Sequence, residues 1–277
     1  MSAESSIMSK GLFLAACCHR LDFEVEIILR NTLRNPLDPL ATEKRKGITY
    51  ALEIFDINGN SLFSNPKYGN IPFNSFSRVQ PSDALDVEEA KKAELMVIIP
   101  EIVTEPNVWF EQEHEIVYSN KTTKSLPAVI YDQLPLRFVE EYPPIILLNH
   151  KIYVSKDLNS FVVLANYRGL KNRSESPQNM ELSFFDNSGA LLLRKTVSIP
   201  YNSTFYIDVK AEIGSKIALS DSPVLLTLTA RGGNSLFAIE TITINEKTKN
   251  AALEHSLAPV YFVSQSMKEV RSRALLF

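Results

Sequence analysis

Apolar and polar residues alternate over short segments of the chain, most clearly in its second half. Met180, Leu182 and Phe184 are separated by single polar residues, and this period of two is typical of a strand with one buried face. A polar turn follows at 186–189, and the extended pattern resumes at 191–199. Short strands divided by frequent turn residues predict a β-sandwich or a barrel. We therefore expect an all-β protein.

Two segments carry helical rather than extended patterns. Residues 83–94 begin with acidic side chains and include alanines, which predicts one short solvated helix. Residues 266–276 carry basic side chains ahead of an apolar end, which predicts a basic terminal helix. Both helices would decorate the β core rather than belong to it.

The sequence contains an internal repeat. Five segments of the first half return in the same order in the second half, and the pairs are 27–31 with 162–166, 53–60 with 183–190, 71–75 with 199–203, 107–110 with 234–237, and 125–131 with 256–262. The clearest pair reads Ile-Pro-Phe-Asn-Ser in the first copy and Ile-Pro-Tyr-Asn-Ser in the second. The offset of about 130 residues is the size of a domain.

The repeat predicts the domain organisation. We expect two tandem β-sandwich domains that arose by internal duplication. The first copy would span 1–140 and carry longer loops, the second would span 141–265, and a C-terminal tail would follow at 266–277.

Four short motifs follow one another in the second copy, and they are Leu-Ala-Asn at 164–166, Phe-Phe-Asp at 184–186, Val-x-Ile-Pro at 197–200 and Ser-x-Ser-Pro-Val at 220–224. Their order resembles the sensory rhodopsin transducer family of small β-sandwiches, over about 80 residues of each copy. The resemblance implies soluble, oligomeric sandwiches that bind partners or small ligands and carry no catalysis. No site motif of that family carries over to this sequence.

Composition narrows the function mainly by exclusion. Of the 277 residues, 45% are hydrophobic and 22% are charged, as in soluble globular proteins. The formal net charge of -3 provides no long-range basic field, so we expect no nucleic-acid binding through phosphate neutralisation. No run of about 18 apolar residues occurs, so no transmembrane helix is predicted.

The two cysteines, Cys17 and Cys18, are adjacent, so no ordinary disulfide staples the fold. Residues 14–17 read Leu-Ala-Ala-Cys and resemble a bacterial lipobox, which makes an exported lipoprotein anchored at Cys17 one interpretation. We favour a buried first strand at 11–18 in a cytoplasmic protein, because the preceding apolar stretch is too short for a signal peptide. Apolar neighbours would then raise the thiol pKa of Cys17 and make it inert.

Residue types that carry catalysis or bind metals are scattered along the chain. The four histidines are His19, His114, His150 and His255, and no two of them lie at a metal-ligand spacing. The densest cluster is 111–115, where strand alternation would place three glutamates on one solvated face and His114 on the other. No glycine-rich phosphate loop occurs. We therefore predict no catalytic residue, no metal site, no cofactor and no enzyme.

The repeated loops join an aromatic residue to an asparagine, and these residues are Phe73 and Asn74 in the first copy and Tyr201 and Asn202 in the second. One interpretation is a ligand-binding surface in which a glycan stacks on the aromatic rings, with Trp109 as a further member. The alternative is a turn in which the asparagine side chain caps the backbone. Both interpretations stay open from the sequence.

The C-terminal tail mixes basic and apolar side chains, among them Arg271, Arg273, Leu276 and Phe277. These residues would contact a partner, or the tail would fray in solvent. Sheet edges and faces offer further surfaces for association. We therefore predict a non-enzymatic structural or protein-interaction module that associates with itself or another protein. The alternative is a carbohydrate- or small-ligand-binding protein that uses the aromatic loops of both copies.

Overall fold

The computed structural model describes residues 11–31, 47–100, 114–123, 125–132, 136–137, 145–167, 178–232 and 236–255. Trp109 and the tail residues Arg271, Arg273, Leu276 and Phe277 lie outside the described residues. Contacts between residues divide the chain into two compact units. Each unit consists of two β-sheets.

The first unit is built from short strands. Its strands are β1 (Gly11–Ala16), β2 (Phe23–Asn31), β3 (Ile48–Phe55), β4 (Ser61–Ile71), β5 (Ser75–Val79), β6 (Leu95–Pro100), β7 (His114–Asn120), β8 (Ala128–Asp132) and β9 (Leu136–Arg137). A helix α1 (Val87–Ala90) and 3-10 turns at His19–Leu21 and Pro81–Asp83 lie between them. Sheet 1 has the order β4-β3-β6-β1-β9, and sheet 2 has the order β5-β2-β7-β8.

The second unit also consists of two β-sheets and a short helix. Its strands are β10 (Ile145–Val154), β11 (Leu158–Tyr167), β12 (Gln178–Phe185), β13 (Leu191–Ile199), β14 (Ser203–Asp208), β15 (Val224–Gly232), β16 (Leu236–Asn245) and β17 (Ala251–His255). A helix α2 (Val209–Ile213) and a 3-10 turn at Gly214–Lys216 follow β14. Sheet 1 has the order β13-β12-β15-β10, and sheet 2 has the order β14-β11-β16-β17.

The two units share one strand topology. The order β4-β3-β6-β1 in the first unit corresponds strand by strand to β13-β12-β15-β10 in the second, and β5-β2-β7-β8 corresponds to β14-β11-β16-β17. In both units a short helix connects the edge strand of sheet 2 to a central strand of sheet 1. The predicted all-β fold, with two tandem β-sandwich domains from internal duplication, is confirmed.

Alternation along the strands forms the core between the sheets. In β2 the residues at odd positions are buried and those between them are more exposed, which is the period of two of an extended chain. In the second unit Leu182, Phe184 and Leu228 of sheet 1 belong to the same apolar cluster as Val162 and Leu164 of sheet 2. Burial of these alternating side chains is the main stabilising contribution to each sandwich.

The predicted helix at 83–94 is wrong in its extent, because α1 covers only Val87–Ala90. The Asp86 carboxylate caps its first turn and accepts two backbone N–H bonds of 3.0 and 2.8 Å. The helix ends early because the Glu94 N–H donates to the Phe55 carbonyl over 2.9 Å, which draws the chain into sheet 1. No helix among the described ranges is long and apolar enough to cross a membrane.

The N-terminal strand predicted at 11–18 is present as β1 (Gly11–Ala16), which pairs with β6 and β9. Cys17 and Cys18 follow it and are fully buried. Burial and the nearby Glu94 carboxylate raise the pKa of the Cys17 thiol above its ordinary value, as the sequence predicted for an inert thiol. Cleavage at Cys17, which the lipoprotein alternative requires, would remove an inner strand of sheet 1.

Candidate functional site

The repeated Ile-Pro-aromatic-Asn-Ser segments form the turns between β4 and β5 and between β13 and β14. Asn74 has a φ of 59° and Asn202 a φ of 56°, and asparagine tolerates this left-handed region better than most residues do. The Asn74 N–H donates to the Asn31 carbonyl over 2.7 Å. The backbone conformation of the turn therefore accounts for the repeated asparagine.

A second, buried asparagine clamps each of these turns. In the first unit Asn31 Nδ2 donates to the Ile71 carbonyl over 3.0 Å. In the second unit Asn166 Nδ2 donates to the carbonyls of Ile199 and Pro200 over 3.1 and 2.9 Å. The two clamps are equivalent in register, because Asn31 pairs with Ser75 and Asn166 pairs with Ser203, the first residue of the strand that follows each turn. Each clamp fixes the chain where it passes from sheet 1 to sheet 2.

The aromatic loops of the two copies differ in accessibility. Tyr201 is 8% exposed and Asn202 is fully buried, whereas Asn74 is exposed and Phe73 is half-buried. Trp109 lies outside the described residues, so the structure does not join it to this loop. Among the predicted ligand-binding residues that the structure describes, Asn74 is exposed and Phe73 is partly accessible, whereas Tyr201 and Asn202 are buried.

Two matching aspartates organise the hairpin turns of the repeat at 53–60 and 183–190. Asp186 Oδ1 accepts backbone N–H bonds from the residues two and four positions later, over 2.8 and 2.9 Å. Asp56 Oδ1 accepts the equivalent bonds over 2.9 and 2.8 Å. A hydrogen bond from the Ser188 hydroxyl contributes most to lowering the pKa of Asp186 below its ordinary value. These carboxylates serve turn formation, which explains this part of the repeat.

The cluster around His114 shows the arrangement expected for a strand. His114 is buried with its ring centroid 4.0 Å from that of Phe13, while Glu115 lies on the opposite face and pairs with an arginine. Glu111 and Glu113 lie outside the described residues. Within the described part of the chain, no three His, Cys, Asp or Glu side chains are placed to hold a metal ion.

The outer face of sheet 2 in the first unit exposes apolar side chains, and the sequence analysis did not single it out. Phe76 is 59% exposed and Val129 is 50% exposed. We call this surface the Phe76 face and define it by seven neighbouring outward residues of β5, β2 and β7, which are Phe76, Arg78, Glu26, Ile28, Arg30, Glu115 and Val117. The outward residues Glu24 and Ser119 pair with each other beyond the end of this set. A face of this kind is a candidate contact surface.

Charged residues flank the apolar side chains of the Phe76 face. Arg30 forms an ion pair with Glu115, and Arg78 Nη1 lies 3.4 Å from Glu26 Oε1. The Arg78 guanidinium also lies 6.0 Å from the centroid of the Phe76 ring, which is cation–π distance. The face therefore combines apolar area with both signs of charge.

Most of the equivalent face of the second unit is buried, and Phe161 and Tyr206 on it are half-buried. The strand registers place five nearly inaccessible residues on it, and they are Val163, Ala165, Thr204, Glu240 and Ile242. Ala165 and Tyr206 occupy the positions that Arg30 and Arg78 hold in the first unit. The first unit therefore carries arginines on its exposed face, where the second unit carries uncharged residues on a less exposed face.

No protein-family model and no curated protein matches this chain. Among solved structures, the VP2 subviral particle of infectious bursal disease virus is 8% identical over 90% of this chain, with a TM-score of 0.25. The STIV MCP is 10% identical over 84% of the chain with a TM-score of 0.18. The chain spans 62% of the VP2 chain and 90% of the STIV MCP chain. TM-scores this low do not establish a shared fold, so these likenesses carry no argument about function.

Proposed function

We propose that this protein is a non-enzymatic structural module that associates with copies of itself. The observation that supports the proposal is the Phe76 face, where an aromatic ring that is 59% exposed lies among apolar and charged side chains. Removal of such a ring from water stabilises a complex, and aromatic residues together with arginine are enriched at protein interfaces.

The edge strands β4 and β13 offer less to a partner. In β4, Pro66 has no N–H, and the Lys67 N–H already donates to Asn65 Oδ1 over 2.9 Å. In β13, the Leu192 carbonyl accepts a bond of 2.8 Å from Lys216 Nζ. Prolines and lysines at edges oppose the addition of further strands. These contacts favour association through a sheet face.

The solution mass of the full-length chain tests this proposal. We expect size-exclusion chromatography with light scattering to give a mass of at least two chains, and we expect dilution to lower it by mass action. A mass of one chain at every concentration would contradict self-association.

A second candidate function is the binding of a glycan or small ligand at Phe73, which the accessibility of this ring and of Asn74 favours. Because Tyr201 and Asn202 are buried, we expect one site per chain rather than two. Phe73→Ala should weaken binding of a hit from a glycan screen at least about tenfold in calorimetric titration. Tyr201→Phe should leave the affinity unchanged, and full affinity in Phe73→Ala would contradict this candidate.

A further inference from the structure

An apolar row crosses the Phe76 face diagonally. The strand registers place Phe76 opposite Arg30, Arg78 opposite Ile28, Ile28 opposite Glu115, and Glu26 opposite Val117. Phe76, Ile28 and Val117 are therefore diagonal neighbours on three adjacent strands, β5, β2 and β7. Diagonal neighbours on one face of a sheet lie within reach of aromatic and long side chains.

The two ion pairs lie on opposite sides of this row. Arg30 and Glu115 border it on one side, while Arg78 and Glu26 border it on the other. An apolar centre with a polar rim is the usual anatomy of a protein interface. All four charged side chains lie at the surface, with exposed fractions from 19% to 63%.

Within each of these two pairs, a simple symmetry relates the arginine position to the glutamate position. Consider the line that lies in the plane of the face, passes through Ile28 and runs perpendicular to the apolar row. A two-fold rotation about this line exchanges the position of Phe76 with that of Val117. It also exchanges the positions within each ion pair, Arg30 with Glu115 and Arg78 with Glu26. When two copies stack face to face about a two-fold axis along this line, each residue lies opposite the one it is exchanged with. Every arginine of the face would then meet a glutamate of the other copy.

We propose that a second copy of this chain docks on the Phe76 face about this two-fold axis, which passes through Ile28. The inference rests on the self-association proposed above and names its contact surface. A two-fold axis along the apolar row would instead place Arg30 against Arg78 and Glu115 against Glu26 of the second copy. Like charges in contact oppose association, so charge selects the first axis and fixes an isologous dimer.

The second unit provides the contrast within the same chain. On its equivalent face Ala165, Tyr206 and Phe161 stand at the positions of Arg30, Arg78 and Glu26, while Glu240 stands at the position of Glu115. Three of the four charges of the Phe76 face are therefore absent from the second unit. Five residues of that face are buried, so it lacks the exposed apolar row that the Phe76 face presents.

An exchange of charge between two variants tests the proposed axis. Arg78→Glu places Glu against Glu26 of an identical copy, and Glu26→Arg places Arg against Arg78. We expect each variant alone to dimerise at least about tenfold more weakly than the original chain. An equimolar mixture should recover the dimer, because each new charge then faces an opposite charge on the other variant. Light scattering measures all three samples.

Recovery in the mixture distinguishes docking from damage to folding. Loss of the intramolecular pair between Arg78 and Glu26 should affect stability little, because the arginine is 63% exposed. Lys91→Glu, which reverses a charge that is 61% exposed on the C-terminal side of α1, is the matched control and should leave the dimer unchanged.

The apolar row has its own test in Phe76→Ser, which should also weaken the dimer at least about tenfold. The original chain could dimerise while neither Phe76→Ser nor the single charge variants change the mass. That result would refute the Phe76 face as the contact surface but would leave the proposal of self-association intact. If each charge variant dimerises weakly and the equimolar mixture does not recover the dimer, the proposed two-fold axis would be refuted. A chain that is monomeric throughout would overturn both proposals.

Discussion

Phe184→Ala is expected to lower the free energy of unfolding of the second unit by about 3–5 kcal/mol. The Phe184 ring is 1% exposed and lies in the apolar cluster between the sheets. It stands opposite Leu193 on one side and Leu228 on the other, so its removal leaves a cavity that neighbouring strands cannot fill without moving. Urea unfolding followed by circular dichroism measures the loss as a lower transition midpoint.

Leu191→Ala provides the matched control for this core variant. Leu191 is 47% exposed on the neighbouring strand β13, so we expect a change within about 0.5 kcal/mol. Equal effects of the two substitutions would contradict the assignment of Phe184 to the core.

Asn166→Ala is expected to destabilise the same unit by about 1–3 kcal/mol, because it leaves two carbonyls of the turn without their side-chain donor. The amide of Asn166 is fully buried and donates to the carbonyls of Ile199 and Pro200. Hydrogen exchange should accelerate in β14 (Ser203–Asp208), since the clamp holds the turn from which this strand begins.

Asn179→Ala is the control for the clamp, because Asn179 is an exposed asparagine on β12 of the same unit. It should leave both the unfolding midpoint and the exchange rates in β14 unchanged. Unchanged exchange in β14 of Asn166→Ala would refute the role of Asn166 as a clamp.

The residues that recur between the two copies are explained more by the conformation and hydrogen bonding of turns than by ligand binding. The Asn74 and Asn202 positions recur because the turn needs a positive φ, and Asp56 and Asp186 recur because each organises a hairpin turn. These are local requirements of the backbone, so they leave a visible pattern in the chain.

The clamping asparagines were visible in the sequence but had no assigned role. Asn31 and Asn166 end the repeated segments 27–31 and 162–166, yet their acceptors lie 40 and 33 residues away, respectively. Contacts at such separations depend on which strands pair, and a pattern of alternating residues does not specify pairing. The helix predicted at 83–94 is shorter for a related reason, because the Glu94 N–H donates to the carbonyl of Phe55, which is distant in sequence.

The Phe76 face is the clearest case of information absent from the sequence. Alternation predicts that Phe76 and Thr204 point away from the sandwich core, but their exposed fractions are 59% and 1%. Whether an outward side chain is covered depends on what packs against the sheet, and that follows from the folded chain as a whole.

The sequence by itself determined the all-β class, the duplication and the turns, because strand alternation and turn geometry depend on residues close together in the chain. Only the tertiary structure decided the strand order, the clamps and the row formed by Phe76, Ile28 and Val117. Each of these joins residues distant in sequence, and the free energy that brings them together comes from burial of the whole core rather than from any local segment.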